Sequence, residues 1–395
     1  MTMEKEMEVA VIGAGTMGSG IAQVAAQAGH RVRLLDARPG AAAQGVARVR
    51  DTLNLLAGKG RLPAAEAAAA GERLEAVEAL EALKGAHLVI EAIVEDLAVK
   101  RGLFHDLERV VTPTCILATN TSSLSITAMA GACAHPERVI GLHFFNPAPL
   151  LPLVEVVPGL VTAPSLAGRC SAWMAAWGKT PVICRDTPGF IVNRVARPFY
   201  GEALRIFEEG LADMATIDHA MRSVGGFRMG PFELMDLIGN DVNFAVTRSV
   251  FEAFFFDPRY RPSITQQRQV ESGRLGRKTG CGYYDHGPNA VPPRPAEDPP
   301  LLETIFHRII VMLINEAAEA LHLRIASRDD LELAMTKGVN YPKGLLRWAD
   351  ELGLAWCLAR LEQLQAEYGE DRYRPSPLLR RIVREGRSFH GPDGR

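Results

Sequence analysis

Residues 9–36 read VAVIGAGTMGSGIAQVAAQAGHRVRLLD. A short apolar run leads into Gly13, Gly15 and Gly18, which open a segment with helical spacing, and a second apolar run follows. Few folds accept that order of strand, glycine turn, helix and strand. In the turn, Gly13 allows the tight reversal and Gly18 lets the helix approach the strand. Gly15 leaves the backbone bare where a pyrophosphate can reach the helix N-terminus. An acidic residue, Asp36, stands at the end of the second strand, where such a turn-and-helix unit places its ribose ligand. The segment is therefore expected to open a doubly wound, Rossmann-type sheet that binds a dinucleotide.

The next 150 residues keep that alternation. HLVIEAI, CILATNTS, VIGLHFF and LVEVV have strand character, and helical segments separate them, including an Ala-rich run from Pro39 to about Ala82. Alternating strands and helices imply a mostly parallel sheet covered on both faces. From DTPGF onward the β signal disappears and helical periodicity takes over. The stretch YDHGPNAVPPRPAEDPP then has a proline density that suits an extended connector.

Helical pattern resumes after the connector, and it repeats. Aligning Glu202 with Glu316 fixes an offset of 114, which also pairs Ala212 with Ala326, Met221 with Met335, Gly230 with Gly344, Asp236 with Asp350 and Gly239 with Gly353. An ungapped series of that length implies duplication. The expected organisation is a dinucleotide-binding domain over 1–185, a helical domain over 186–285, a linker over 286–300 and a degenerate helical copy over 301–390.

Composition excludes several classes of function. A formal net charge of −2 argues against nucleic acid or a membrane surface as partner. The N-terminus passes from charged residues straight into a strand, without the apolar run of a signal peptide. Six scattered cysteines form no CxxC pair and have no His at metal-ligand spacing, so no metal is expected and reduced thiols in the cytoplasm fit best.

The chemistry-bearing residues fall at strand ends. Asp36 suits a ribose 2′-hydroxyl and repels a 2′-phosphate, which favours NAD over NADP, although Arg38 lies two residues on. His143 and Glu155 are polar residues in otherwise apolar strands, and a buried carboxylate needs a partner. An imidazole oriented by a carboxylate beside a nicotinamide is suited to take the proton of an alcohol as its hydride leaves. A structural His–Glu pair in the core is the alternative. Ser122 and Asn193 are neutral donors suited to hold the substrate oxygen; for Ser122 and Ser123 the competing role is capping the helix that begins near LSITAMA.

The motifs GAGTMGSGIA, NTSSLSI, GLHFFNPAPLLPLVEVV, DTPGFIVNR, GPFELMDLIG and GRKTGCGYY, in that order, resemble the NAD-dependent L-3-hydroxyacyl-CoA dehydrogenases. The extended C-terminus resembles the branch with a duplicated C-terminal domain. The resemblance implies reversible oxidation of an (S)-3-hydroxyacyl-CoA to the 3-oxoacyl-CoA, with His143 as base, Glu155 as its partner, and Ser122 and Asn193 on the substrate. It places NAD against Gly13, Ala14, Gly15, Thr16, Met17, Gly18 and Asp36, with Glu95, Lys100, Ser122, Asn146 and Lys278 as further contacts. Arg48, Arg50, Lys59 and Arg61 suit either CoA phosphates or a charged helix face. The second copy has His307 where the first has Asn193, so it is expected to be non-catalytic and to pack on the first; a homo-oligomer is also compatible. Two other readings fit less of the chain: a CoA-independent 3-hydroxy acid dehydrogenase, and a catalytically retired structural or NAD-binding relative.

Overall fold

The apolar runs become strands because burial on both faces rewards them. The structure, a computed structural model, describes residues 7–391. Eight strands form one sheet: β1 (Glu8–Ile12), β2 (Arg31–Leu35), β3 (Leu74–Val77), β4 (Leu88–Glu91), β5 (Ile116–Thr119), β6 (Val139–Phe144), β7 (Leu153–Pro158) and β8 (Thr180–Ile183). Their spatial order is β3-β2-β1-β4-β5-β6-β7-β8. All neighbours are parallel except β6 and β7, which run antiparallel. The order reverses between β1 and β4, and in such sheets ligands bind beyond the carboxyl ends at that reversal.

The Ala-rich run is not one helix. Gly58 ends the helix Ala41–Gly58, Pro63 precedes a second helix at Ala64–Glu72, and Leu74–Val77 is an added parallel strand. Leu74 and Val77 are buried against the core while Glu75 faces water, a pattern too short to stand out in an alanine-rich segment. The edge strand β8 (TPVI) also lay outside the expected strands; its proline is tolerated where one side of the ladder is open.

The chain divides into two compact units between Thr187 and Pro188. In the second unit the offset of 114 holds in three dimensions. Pro231–Ile238 maps onto Leu345–Leu352 at both ends, and Arg197–Glu208 ends where its counterpart in Pro299–His322 does. Pro299 and Pro300 belong to the first turn of that long helix rather than to the connector, a position where a missing N–H costs nothing.

Matched residues do matched work. Asp218 accepts the amides of Phe232 and Glu233, and Glu332 accepts those of Leu346 and Arg347. Asp236 holds the amides of Tyr283 and Tyr284, and Asp350 those of Phe389 and His390.

The copies grip each other reciprocally. Arg194 of the first donates to Glu316 of the second at 2.6 Å, and Arg308 of the second donates to Glu202 of the first at 2.6 Å. The hydroxyls of Tyr260 and Tyr373 complete the two clusters at 2.6 and 2.7 Å. This is the residue-i-to-j, j-to-i pattern of a two-fold interface, contained in one chain. Both glutamates are almost fully buried. Such pairs roughly break even against desolvation, so they fix the register of the copies more than they add stability.

Candidate active site

The glycine turn has the steric character the sequence implied. A Cβ on Gly13 would lie 2.4 Å from the Ala92 carbonyl oxygen, and one on Gly18 would lie 1.7 Å from that of Gly13. A Cβ on Gly15 would meet nothing within 4 Å, so the space above that backbone is open. Gly15 is the N-cap of the helix Thr16–Gln27 and brings no side chain to its first amides. Bare amides, an open approach and a helix N-terminus suit a pyrophosphate at Gly13, Ala14, Gly15, Thr16, Met17 and Gly18.

Asp36 follows β2 and accepts the Ala14 amide at 2.7 Å. Its other oxygen accepts the amide and Nε of Arg38, at 3.0 and 3.2 Å. Burial opposes its charge, but the Ala14 and Arg38 hydrogen bonds outweigh it and hold the carboxyl below its usual range. Arg38 is thus tied to that carboxylate. Arg48 donates to the Ala14 carbonyl at 2.7 Å, and Arg50 to the carbonyls of Gly71 and Leu74. Both are committed to the fold of this unit.

Beyond β4 and β5 lies a second polar cluster. Lys100, almost fully buried, sits 2.7 Å from Glu91 and 3.1 Å from Glu95. Glu95 also accepts the Thr121 hydroxyl at 2.5 Å and the Ser122 amide at 3.1 Å. Burial opposes its charge, yet the adjacent ammonium and these donors keep its carboxyl below the usual range. The structure therefore brings Glu95, Lys100 and Ser122 together. It also shows what caps the following helix: Ser125, whose hydroxyl accepts the Ala128 amide, and neither Ser122 nor Ser123.

Sequence reasoning missed Glu91, which anchors Lys100 and accepts the Thr119 hydroxyl at 2.7 Å. The available signal was a glutamate ending the apolar strand LVIE, the same clue that marked Glu155. Asn120 was missed as a positioning residue; its side chain accepts the Phe144 amide at 2.8 Å and ties the ends of β5 and β6 together.

His143 and Glu155 lie opposite each other in the β6–β7 ladder. Directly opposed residues share a face, so the antiparallel turn-back of β7 delivers the carboxylate to the imidazole. Nδ1 of His143 and Oε2 of Glu155 are 2.7 Å apart, with the carboxylate wholly buried. The Phe145 ring lies against the imidazole, 4.4 Å between centroids. With a carboxylate at Nδ1, that nitrogen carries the proton and Nε2 is the basic one.

Asn146 is exposed two residues past β6. Asn193 and Lys278 belong to the helical unit. Asn193 is half-buried in the turn Val192–Val195, and Lys278 pairs with Asp241 at 2.6 Å. In the second copy, the position of Asn193 is taken by His307, which packs on Trp356 at 4.8 Å.

The sequence model of the 3-hydroxyacyl-CoA dehydrogenase NAD-binding domain matches residues 8–187, and that of the C-terminal domain matches 189–286 and again 305–390. The chain belongs to the 3-hydroxyacyl-CoA dehydrogenase family. NAD is the cofactor its first domain is built to bind. The 3-hydroxyadipyl-CoA dehydrogenase of Escherichia coli is 42% identical over 94% of this chain and 96% of its own length. A probable 3-hydroxybutyryl-CoA dehydrogenase of Bacillus subtilis is 42% identical over 71% of this chain and 97% of its own. A crystal structure of 3-hydroxybutyryl-CoA dehydrogenase from Escherichia coli superposes with a TM-score of 0.90, covering 96% of this chain and 99% of that one at 41% identity. The Bacillus relative reaches across 71% of this chain while the 3-hydroxyadipyl-CoA enzyme reaches across 94%, so the similarity to the latter extends into the second helical copy.

Proposed function

We propose that this chain oxidises (S)-3-hydroxyacyl-CoA reversibly to 3-oxoacyl-CoA, with His143 as general base and Glu155 as its positioning partner. The observation that carries the assignment is the 2.7 Å His143–Glu155 contact inside a sheet that also bears the glycine turn. NAD, when bound, supplies the hydride acceptor. Nε2 of His143 takes the hydroxyl proton, and Glu155 stabilises the resulting imidazolium through Nδ1. The same pair returns the proton in the reductive direction. Ser122 and Asn193 donate to the substrate oxygen, whose negative charge grows as the proton leaves. Glu95, Lys100, Asn146 and Lys278 serve the cofactor side, and Asp36 reads the ribose. Six cysteines with no CxxC spacing are consistent with a reducing compartment, and no helix among the described residues is long and apolar enough to cross a membrane.

A second reading of the acyl group has its own support. A relative that matches 94% of this chain is named for the adipyl group, an acyl chain with a terminal carboxylate. Following NADH absorbance with 3-oxoacyl-CoAs of rising length, the adipyl form included, distinguishes the two. Activity with acetoacetyl-CoA that vanishes in His143→Gln, with NADH affinity retained, is the expected result. Wild-type turnover in that variant removes His143 from the mechanism.

A further inference from the structure

The duplication offers an internal comparison at the end of the helix that carries each cluster glutamate. In the first copy, Glu208 accepts the Ser263 hydroxyl and the Thr265 amide, closing that helix end against Ile264–Glu271. The offset of 114 puts His322 in its place, and the closure is replaced by a cleft of about 600 Å³. Its walls have changed sign. Gly210 corresponds to Arg324, Asp213 to Ser327 and Met214 to Arg328, and Arg381 and Arg387 also face the space. Leu321, Leu378, Ile382 and Phe389 supply an apolar side.

Two of the four arginines are committed: Arg328 to Asp329 at 2.9 Å and to the Phe389 carbonyl, Arg387 to Glu385 at 3.0 Å. Arg324 and Arg381 have no ion-pair or side-chain hydrogen-bond partner among the described residues. Arg324 also occupies a backbone conformation that glycine adopts freely and arginine rarely does. Its φ is 55°, and the corresponding Gly210 has 72°. The helix dipole favours a cation beyond a helix C-terminus, but a left-handed backbone works against any side chain, so folding gives little net reason for arginine in a cleft lined by three others. A bound anion supplies one.

We propose that this cleft binds a phosphorylated small molecule with an apolar body, of the nucleotide or coenzyme A class. Paired guanidinium forks match the oxygens of a phosphoryl group, and the cleft has the volume of an ordinary small-ligand site. The site lies in the copy that has lost the asparagine, so the ligand is bound there without turnover.

The test uses the full chain saturated with NADH, which fills the dinucleotide site, and titrates it calorimetrically with ADP. Inorganic phosphate and phosphatidylglycerol vesicles form two further arms. The comparison protein is Arg324→Gly/Arg381→Gln, which gives the left-handed position the residue its twin already has. The expected result is ADP binding at least tenfold weaker in the variant, with KM for NAD and acyl-CoA unmoved and phosphate binding far weaker than ADP. Equal ADP affinity in the two proteins overturns the proposal. So does capture by vesicles without ADP binding, which reassigns the arginines to a lipid surface. If the double variant loses its melting transition, Arg381→Gln alone, a change of an exposed side chain, carries the same comparison.

Discussion

Replacing Glu155 by glutamine changes the proposed catalytic pair by one charge and almost no volume. Glutamine can still accept from Nδ1 through its amide oxygen, so the ring keeps its tautomer and place. What disappears is the carboxylate's hold on the imidazolium. A hydrogen bond to a charged group contributes about 1.5–3 kcal/mol and a neutral one about 0.5–1.5. The contact is 2.7 Å long and the carboxylate wholly buried, so water cannot take its place. The low-dielectric setting puts the difference near the upper end, at roughly 2 kcal/mol, or about a thirtyfold loss in kcat/KM. The overall equilibrium does not depend on the enzyme, so hydroxyacyl oxidation and oxoacyl reduction must slow by the same factor at fixed pH. Stopped assays in both directions, with NADH affinity measured by fluorescence, check this. A variant with wild-type kcat/KM in either direction refutes the pairing, as does one whose whole loss is explained by weaker NADH binding.

Asp36→Ala should loosen the preference for NAD over NADP, because the group that repels a 2′-phosphate is gone while Arg38 stays; it should also weaken NAD itself, since the Ala14 amide loses its acceptor. A ratio of kcat/KM values for the two cofactors that does not move assigns ribose recognition elsewhere. Glu316→Gln leaves Arg194 and Arg259 buried beside a neutral amide and should cost about 3–5 kcal/mol of stability, read by urea unfolding. Burial works against the Glu316 charge, but the two guanidiniums overcome it and hold its carboxyl below the usual range. A depressed folded-state value contributes stability that is complete above the unfolded glutamate value of about 4.3 and is lost as pH falls below it. The wild type should therefore lose stability in that acid window more steeply than Glu316→Gln; parallel pH profiles count against the pair.

The sequence disclosed what is local or periodic. The glycine turn could be read because sterics at Gly13 and Gly18 act within one strand–turn–helix unit. His143 and Glu155 could be read because each breaks an apolar run, and the short stretch between them limits where β7 can return. Glu91 carried the same mark and was passed over because its partner Lys100 lies on a helix, where lysine is unremarkable. β3 was hidden because its four residues, LEAV, are too few to break the helical pattern of the alanine-rich run before them. The Arg–Glu exchange was hidden for another reason: Arg194 and Glu316 are 122 residues apart, and each looks like an ordinary helix-surface charge until the copies are packed.

The duplicate also separates what the fold needs from what the chemistry needs. Glu316, Arg308, Glu332, Asp350 and Gly353 keep the roles of Glu202, Arg194, Asp218, Asp236 and Gly239, down to which amides they accept and which helix ends they set. These residues are retained because each copy has to fold and to grip the other. At the position of Asn193 the second copy has His307, which packs on a tryptophan. The proposed hydrogen bond from Asn193 to substrate fits that divergence, since the first copy keeps the residue the proposed reaction uses and the second does not.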